Sequence, residues 1–504
     1  MDPYSNLPGK APKSETPEAG IPDPNTAGPK HSVLMVIASW LVIILLVCGI
    51  AISVSYFQFF QPKRLETSSS ELLGVNITAK MILGYQDSSA LEQAEQFNIG
   101  PLEQRYGYTI LVNELSGPTN ALSKLEQIDQ AVHDEQDARR KVGNDVEFPT
   151  EAQIEIRRVL GDLFEQYENG NFDSSGFAEA DQELLEKKLG WVSNLALTPK
   201  NSPDQTTRQE MVNTGKGLFR ILVTGMLIGL FALVASFAAC FICFGMLVTS
   251  QVEPKFQNRS QHGFVYIETF AIWIVVFFGA QYLAAWIASL MQSTTLSMTL
   301  SPVAFFGSLI ALVWPMIRGV PFRTVRKDIG WELGNPFVET ALGGFSYLAM
   351  ILPMLFGISV SVLIGIGLSF LVSLENFESA GPVGHPIAEE IASGGPYAWI
   401  PIALAACVAA PIVEETMFRG VLYRYLRDAT NTNQARWVSV ALSSLFGGLI
   451  FAMIHPQGLI GIPILTTLAI GFSLVREWRN SLIGPMVMHA VNNSIVTCML
   501  ILVA

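Results

Sequence analysis

Long apolar blocks constrain the fold of this 504-residue chain more than any other feature. The first block runs from Ser32 to Phe60, and others fill the chain after Gly217. Each can cross a bilayer, because a membrane-spanning helix needs about 20 apolar residues. Apart from a signal anchor at 32–60, which is too long for a signal-peptide core, spans are predicted at about 218–248, 263–291, 295–317, 340–373, 397–418, 438–455, 459–475 and 481–503. We therefore predict an all-α, polytopic helical membrane protein with about nine transmembrane helices.

The charge of the chain is concentrated in one segment between the first two spans. The formal net charge is −12, and residues 65–216 contain 26 acidic and 13 basic residues. Nucleic acid is not an expected partner, because binding it requires a basic surface. The composition instead predicts a protein whose environment is the lipid bilayer and which exposes one acidic, soluble insert.

The insert at 65–216 is predicted to be helical. Thr150 and Gln153 have the spacing of a capping box, and Gly170 is expected to end the helix that follows. Its apolar residues follow helical spacing: Ile156, Val159, Leu160, Leu163, Phe164 and Tyr167. A second amphipathic run covers about 120–141, and its His133 is expected on the solvated surface. Residues 1–31 are rich in Pro, Gly and Ser and predict a disordered tail.

Basic residues in the loops predict the orientation of the chain. They cluster at 318–327, 424–436 and 476–479, whereas the loop at 374–395 has four acidic residues and no Lys or Arg. Because Lys and Arg favour cytoplasmic loops, the three basic clusters are predicted to be cytoplasmic. With nine spans, the N-terminus is then cytoplasmic and the insert extracytoplasmic, in a plasma or inner membrane.

Two adjacent carboxylates lie inside an apolar span, where charge is costly and therefore marks a candidate functional site. Glu415 and Arg419 are four residues apart, so they share a helix face and can pair. Glu414 is rotated by about 100° from Glu415 and is predicted to face a cavity. A juxtamembrane charge cluster is the alternative interpretation of the same residues.

Two of the six histidines lie in the last three spans. His455 precedes Pro456 at the end of an apolar helix, and His489 shares a helix face with Asn493. Taken singly, His455 also fits a membrane-interface residue, and the His489, Asn492 and Asn493 group also fits a polar helix–helix contact. We measure depth along each helix from its predicted cytoplasmic end, taken at Arg427, Ser439 and Ser481. On this scale Glu414, His455 and His489 lie about 20, 24 and 12 Å into the membrane, respectively.

Together these residues resemble the CPBP family of intramembrane proteases, also called Abi, which includes the type II CAAX prenyl endopeptidases. The family's signatures are E-E-x-x-x-R, F-x-x-x-H and H-x-x-x-N, in that order on successive spans. Here they read Glu414-Glu415-Thr-Met-Phe-Arg419, Phe451-Ala-Met-Ile-His455 and His489-Ala-Val-Asn-Asn493. The resemblance covers about 330–504 and extends to the Asp-Ile-Gly-Trp segment at 328–331. It implies a catalytic domain at 331–504, preceded by spans of unknown role at 217–330.

The resemblance also implies a role for each residue of the three signatures. Glu414 and His455 would activate a water, His489 and Asn493 would form an oxyanion hole, and Glu415 with Arg419 would hold the glutamate helix. A carboxylate in an apolar cavity is a better proton acceptor than one in water. If a zinc ion took part, Glu414, His455 and His489 would be its ligands; a metal-free, glutamate-activated water is the favoured hypothesis.

The resulting hypothesis is an intramembrane endopeptidase that cleaves a peptide or membrane-protein substrate near the cytoplasmic face. A non-catalytic scaffold or bacteriocin-immunity-type protein, acting through a partner of the acidic insert, is one alternative. A transporter with a polar pathway through Glu268, Gln281 and the Glu/His cluster is another. Glu268, near the start of its span, is predicted to be an interfacial residue.

Overall fold

The computed structural model describes residues 31–60, 69–85, 90–141, 148–249, 254–256, 262–332, 334–371, 391, 398–431 and 435–503. Across these ranges the chain is helical and has no β-strand. Nine of the described helices are long and apolar enough to cross a bilayer. The prediction of an all-α, polytopic membrane protein is confirmed. The tail at 1–30 and the acidic loop at 374–390 and 392–395 lie outside the described residues.

The chain begins with one long apolar helix and a group of shorter helices. Their bounds are α1 (Val33–Phe60), α2 (Ser69–Tyr85), α3 (Ala90–Ala94), α4 (Leu102–Ser116), α5 (Pro118–Lys141), α6 (Glu151–Glu168), α7 (Glu179–Leu189) and α8 (Ser193–Leu197). Helices α2 to α8 form the insert and enclose an apolar core. The six apolar residues predicted for α6 are all buried in that core.

The start of α6 is the capping box expected from the sequence. The Thr150 hydroxyl accepts a hydrogen bond from the Gln153 backbone N–H at 3.3 Å, and the Gln153 side chain accepts one from the Thr150 N–H at 2.9 Å. The helix ends at Glu168, and Gly170 follows with a φ of 79°. His133 is solvated, as predicted, with a side chain 65% exposed.

The predicted boundary between the insert and the membrane-embedded part falls inside one continuous helix. Helix α9 runs without interruption over Gln205–Val248, so the last helix of the insert and the second span are the same helix. The span was predicted to start near 218, where the apolar residues begin. The helix itself starts earlier, because Asp204, fourteen residues before 218, caps it through a hydrogen bond from the Thr207 N–H.

The remaining helices form the membrane-embedded part. They are α10 (Gly263–Leu290), α11 (Thr294–Ser308), α12 (Trp314–Ile317), α13 (Phe322–Ile329), α14 (Pro336–Leu371), α15 (Ala398–Thr430), α16 (Arg436–Met453), α17 (Gly458–Arg479) and α18 (Ile483–Val503). Helix α11 continues through a 3₁₀ turn at Leu309–Val313 into α12, and together they form one span.

Helix α17 lies at the centre of the last four spans. It packs along both α14 and α16, and α14 also packs along α9 and α18. Small residues allow these close approaches: Gly448 of α16 faces Thr466, and Gly471 of α17 faces Met350. Helix α15 is enclosed by α10, α16 and α18, and its glutamates are consequently buried.

Candidate active site

Helix α15 changes its hydrogen-bonding pattern on both sides of the two glutamates. The α-helical turn Ala410–Glu415 lies between π-helical segments at Ala405–Ala409 and Thr416–Leu422. Such wider turns are rare in helices and occur frequently at functional sites. The carboxamide of Asn493 on α18 donates to the Ala406 carbonyl of the first segment at 2.8 Å. Helix α15 is therefore widened on both sides of the turn that carries the glutamates, and a neighbouring helix binds the first of the two wider segments.

Glu415 is the centre of a buried charge network. Its Oε1 accepts from Arg419 Nη1 at 3.0 Å, which confirms the predicted pair. The same oxygen lies 2.9 Å from His489 Nδ1. Arg419 also donates to the Ala469 carbonyl, and its guanidinium lies over the ring of Phe451, 4.6 Å from the centroid. Glu415 therefore joins α15 to α18, while Arg419 joins it to α16 and α17.

Glu414 points into a different environment. Its Oε2 lies 3.8 Å from His455 Nε2 and 4.0 Å from His489 Nε2. Among the described residues this oxygen has no hydrogen-bond partner, although the side chain is only 11% exposed. Contacts of this length between polar atoms are typical of a gap that a water bridges. The structure thus brings Glu414, His455 and His489 together, as the resemblance to the protease family implies.

The hydrogen bonds of the two imidazoles determine which nitrogen of each ring faces Glu414. His455 Nδ1 lies 2.5 Å from the Phe451 carbonyl, which can only accept, so Nδ1 carries the proton. His489 Nδ1 faces the Glu415 carboxylate and is likewise the donor. In neutral rings both Nε2 atoms are then acceptors. Three acceptors converge at Glu414 Oε2, so a bridging donor such as water, or a protonated ring, is required there.

The position at which α18 starts explains why His489 reaches the level of Glu414, although the two residues differ in distance from the ends of their helices. Leu482 packs beside Gly420 of α15, ten residues before the end of that helix, because its N–H donates to the Gly330 carbonyl at 3.2 Å. Helix α18 consequently begins about 15 Å further in than the end of α15. His489, about 10 Å beyond Leu482 along α18, reaches the level of Glu414.

The two asparagines of α18 form a short polar chain. Asn493 accepts from Asn492 Nδ2 at 3.2 Å, and Asn492 accepts from the Tyr347 hydroxyl of α14 at 3.4 Å. Together with the bond to Ala406, these contacts make Asn493 a bridge between α18 and α15. Its role in an oxyanion hole remains a prediction.

Several residues around the site were not found from the sequence. Trp331 donates to the hydroxyl of Thr416, the residue after Glu415, at 3.0 Å. Arg427 and Arg436 were assigned to a basic loop, but both pair with Glu477, at 3.0 and 2.9 Å. The available signals were Trp331 in the segment at 328–331 and the isolated acid Glu477 between two arginines of α17.

Glu268 is a buried ion-pair partner, and its predicted position at the membrane interface stays a prediction. Its side chain is 2% exposed, and its Oε2 accepts from Arg318 Nε at 3.0 Å and Trp314 Nε1 at 2.9 Å. The sequence did not indicate this pair, because Arg318 is 50 positions away and reaches Glu268 only in the folded chain. Gln281 lies further along α10 and accepts from Ser301 at 3.4 Å. With its charge neutralised by Arg318, Glu268 gives little support to a polar transport pathway.

Glu414, His455 and His489 are the candidate ligands of a metal ion. Their donors are chemically suitable for zinc, since each imidazole has its Nδ1 bound to an oxygen and its Nε2 directed inward. In the part of the chain that the structure describes, however, no group of three or more His, Cys, Asp and Glu side chains has an arrangement that could hold a metal ion. No step of the mechanism below is assigned to a metal.

In the described part of the chain, a carboxylate and two imidazoles converge among helices apolar enough to span a membrane, an arrangement that is chemically suited to hydrolysis. Residues 396–495 match the family model of type II CAAX prenyl endopeptidases, Rce1-like. The match confirms the resemblance found in the sequence, and it makes this segment, 100 of the 504 residues, similar to intramembrane proteases of the CAAX type. No curated protein and no solved structure matches the chain.

Proposed function

We propose that this protein is an intramembrane endopeptidase in which Glu414 and His455 activate a water for attack on a peptide bond. The observation that supports this most directly is the buried Glu414 Oε2 with no hydrogen-bond partner among the described residues, facing two Nε2 atoms at 3.8 and 4.0 Å. A water at that point can donate to Glu414 and to His455. The carboxylate then accepts the proton that the water loses on attack.

The reaction proceeds by addition and elimination. The water oxygen bonds to the scissile carbonyl carbon, and its proton passes to Glu414. The tetrahedral intermediate then breaks its C–N bond, and Glu414 or His455 returns the proton to the leaving amine. The products are a carboxylic acid and an amine; the acid's proton then passes to the amine to give a carboxylate and an ammonium group, so atoms and charges balance without a further reactant.

His489 is proposed to stabilise the oxyanion, with Asn493 as a second donor. To donate from Nε2, the His489 ring must carry both protons, because its Nδ1 proton is directed at Glu415. The Glu415 carboxylate, 2.9 Å away, accepts the hydrogen bond from that Nδ1 proton. Removing one oxyanion donor typically raises the barrier by about 3–4 kcal/mol.

The cleavage position is proposed to lie within the membrane, near its cytoplasmic face. Helix α15 has 33 residues and is about 50 Å long, which exceeds the ~30 Å hydrocarbon core. Its last eight residues, Tyr423–Thr430, carry Arg424 and Arg427 and are expected outside the core on the basic side. Glu414 would then lie about 12 Å inside that boundary.

The substrate is proposed to be a peptide or membrane protein, and the proposal does not require a prenyl group. The test is a comparison of newly formed protein N-termini in membranes that contain wild type, Glu414→Ala or His455→Ala. His133→Ala is the matched control, because that histidine is exposed in the insert. We expect a set of cleavages in wild type and His133→Ala that both site variants lose; if all four preparations share the same N-termini, the protease proposal is wrong.

Metal analysis of the purified protein tests the metal-free part of the mechanism separately. We expect wild type and Glu414→Ala to contain the same substoichiometric zinc. A content of one zinc per wild-type chain, absent from Glu414→Ala, would contradict the metal-free mechanism and support a zinc-bound water instead.

A further inference from the structure

The turn between α13 and α14 contacts several elements of the active site. Trp331 reaches α15 through Thr416, and the Gly330 carbonyl accepts from the Leu482 N–H just before α18. The Asp328 carbonyl accepts from Arg476 of α17 at 3.2 Å. We call residues 328–331 the 328–331 turn. This turn therefore contacts α15, which carries both glutamates, the start of α18, which carries His489, and α17.

The contact with α15 lies at the point where the helix widens. Thr416 follows Glu415 and begins the second π-helical segment. Its hydroxyl donates to the Ile412 carbonyl at 2.7 Å, so the oxygen has lone pairs left to accept. The Trp331 indole N–H supplies that second bond at 3.0 Å, and Thr416 is fully buried. One indole thus fixes the rotation of the hydroxyl next to the glutamates, where the backbone departs from α-helical geometry.

The other end of the turn is fixed by Gly330. Its φ is 84°, a left-handed conformation that favours glycine. A Cβ there would lie 2.6 Å from the Arg476 guanidinium, which fills the space above the glycine. Arg476 is fully buried, and its bond to the Asp328 carbonyl fastens the turn to α17. Asp328 itself accepts from the Tyr266 hydroxyl of α10 at 2.8 Å.

We propose that the 328–331 turn positions the active site, and that Trp331 is a positioning residue for Glu414 acting through Thr416. The inference rests on the proposed function. Glu414 Oε2 has no hydrogen-bond partner among the described residues, so the place of this carboxylate between the two imidazoles depends on the backbone of α15. That backbone is held by the side chains of the next two residues, Glu415 and Thr416.

Trp331→Phe removes the indole N–H and keeps an aromatic ring, and Thr416→Val removes the hydroxyl that accepts from it. Trp314→Phe is the matched control, since its indole donates to Glu268, away from the site. The protein is reconstituted in liposomes with a synthetic peptide that spans the strongest Glu414-dependent cleavage. The measurements are kcat, KM and the midpoint temperature of unfolding.

Trp331→Phe and Thr416→Val are each expected to lower kcat about tenfold, because a small displacement of a catalytic group is costly, with KM within about twofold of wild type. The double variant should be no slower than either single variant, since both remove the same bond. Trp314→Phe should keep the wild-type kcat. A Trp331→Phe enzyme as fast as Trp314→Phe, or losses that multiply in the double variant, would overturn the proposal.

Nitrogen NMR of labelled histidines separates the failure of this inference from failure of the proposed function. If the wild type shows no Glu414-dependent cleavage, the protease proposal fails, but the ring-nitrogen shifts of His489 and His455 still report the geometry around Glu414. Trp331→Phe should change these shifts and Trp314→Phe should not. Unchanged shifts in Trp331→Phe would contradict the positioning role whether or not the protein is a protease.

Discussion

The insert and the catalytic part of the membrane body are both helical but are stabilised by opposite means. The insert buries an apolar core that includes Leu160 and Phe164, and its charges are mainly at the surface. The catalytic part exposes apolar side chains such as Phe356, 71% exposed, and buries charges such as Glu415 and Arg419. In lipid, apolar contact between helices gives little advantage, so polar contacts and close packing hold the helices together. A buried charge in this part of the chain therefore has a structural role, whatever its part in the proposed reaction.

The largest expected effect is that of Arg419→Ala. This change leaves Glu415 buried without its cation, and losing one partner of a buried pair typically costs about 3–5 kcal/mol. We expect a lower free energy of unfolding in mixed SDS micelles, together with loss of Glu414-dependent cleavage.

The control for Arg419→Ala is Arg158→Ala in the insert. Arg158 contacts three carboxylates but is 46% exposed, so its loss should leave unfolding unchanged. Equal effects of the two arginine changes would remove the contrast between the two regions.

Leu160→Ala tests the apolar core of the insert. Leu160 is fully buried, and truncation of such a leucine costs about 2–5 kcal/mol. Thermal unfolding followed by protease sensitivity of the insert should shift downward, while cleavage activity per folded molecule stays the same. Ile154→Ala on the same helix, 54% exposed, should have little effect. A loss of activity in Leu160→Ala at a temperature where the insert is folded would show that the two regions are coupled.

Thr150→Ala removes the hydroxyl of the capping box. The expected loss is about 1 kcal/mol, because one N–H at the start of α6 becomes unsatisfied. Hydrogen exchange of the first turn of α6 should increase, and Thr150→Ser, which keeps the hydroxyl, should restore protection. Equal exchange in Thr150→Ala and wild type would indicate that tertiary packing alone holds this helix start.

The smallest effect concerns Glu114, which is buried in the insert beside Arg208. Burial raises its pKa above the ordinary value of 4.5, although Arg208 opposes the shift. The folded chain then keeps this proton to higher pH than the unfolded chain, so the associated stability is present below about pH 4.5 and is lost as the pH rises through the folded pKa. The midpoint temperature of wild type should fall relative to that of Glu114→Gln as the pH rises from 4.5 to 7; parallel curves would contradict the shift.

Local features of the fold could be predicted from the sequence. The nine spans follow from apolar length, the capping box from Thr150 and Gln153, and the Glu415–Arg419 pair from helical spacing. The family signatures also identified Glu414, His455 and His489 before the structure placed them together. Each of these depends on residues close in sequence or on a known pattern.

Other features depend on contacts between distant segments and could not be predicted. Trp331 and Thr416 are 85 positions apart, and Arg427 meets Glu477 across 50 positions. The π-helical turns of α15 are stabilised by the neighbouring helices. No apolar periodicity in the sequence therefore marks them. Buried arginines were also indistinguishable from loop arginines, since composition does not show which polar residues face a partner.

Helix α9 has a consequence for any molecule that binds the insert. A helix of 44 residues is about 66 Å long, roughly twice the thickness of the hydrocarbon core. Helix α2 crosses it at Gly84 and Gly215, where a Cβ on either residue would overlap the other helix. The helix is thus a spacer of fixed length between the insert and the apolar residues of the span. Any molecule that binds the insert would therefore be held at a fixed distance from the membrane. Changing that height would require adding or removing whole helical turns before the first apolar residues of the span.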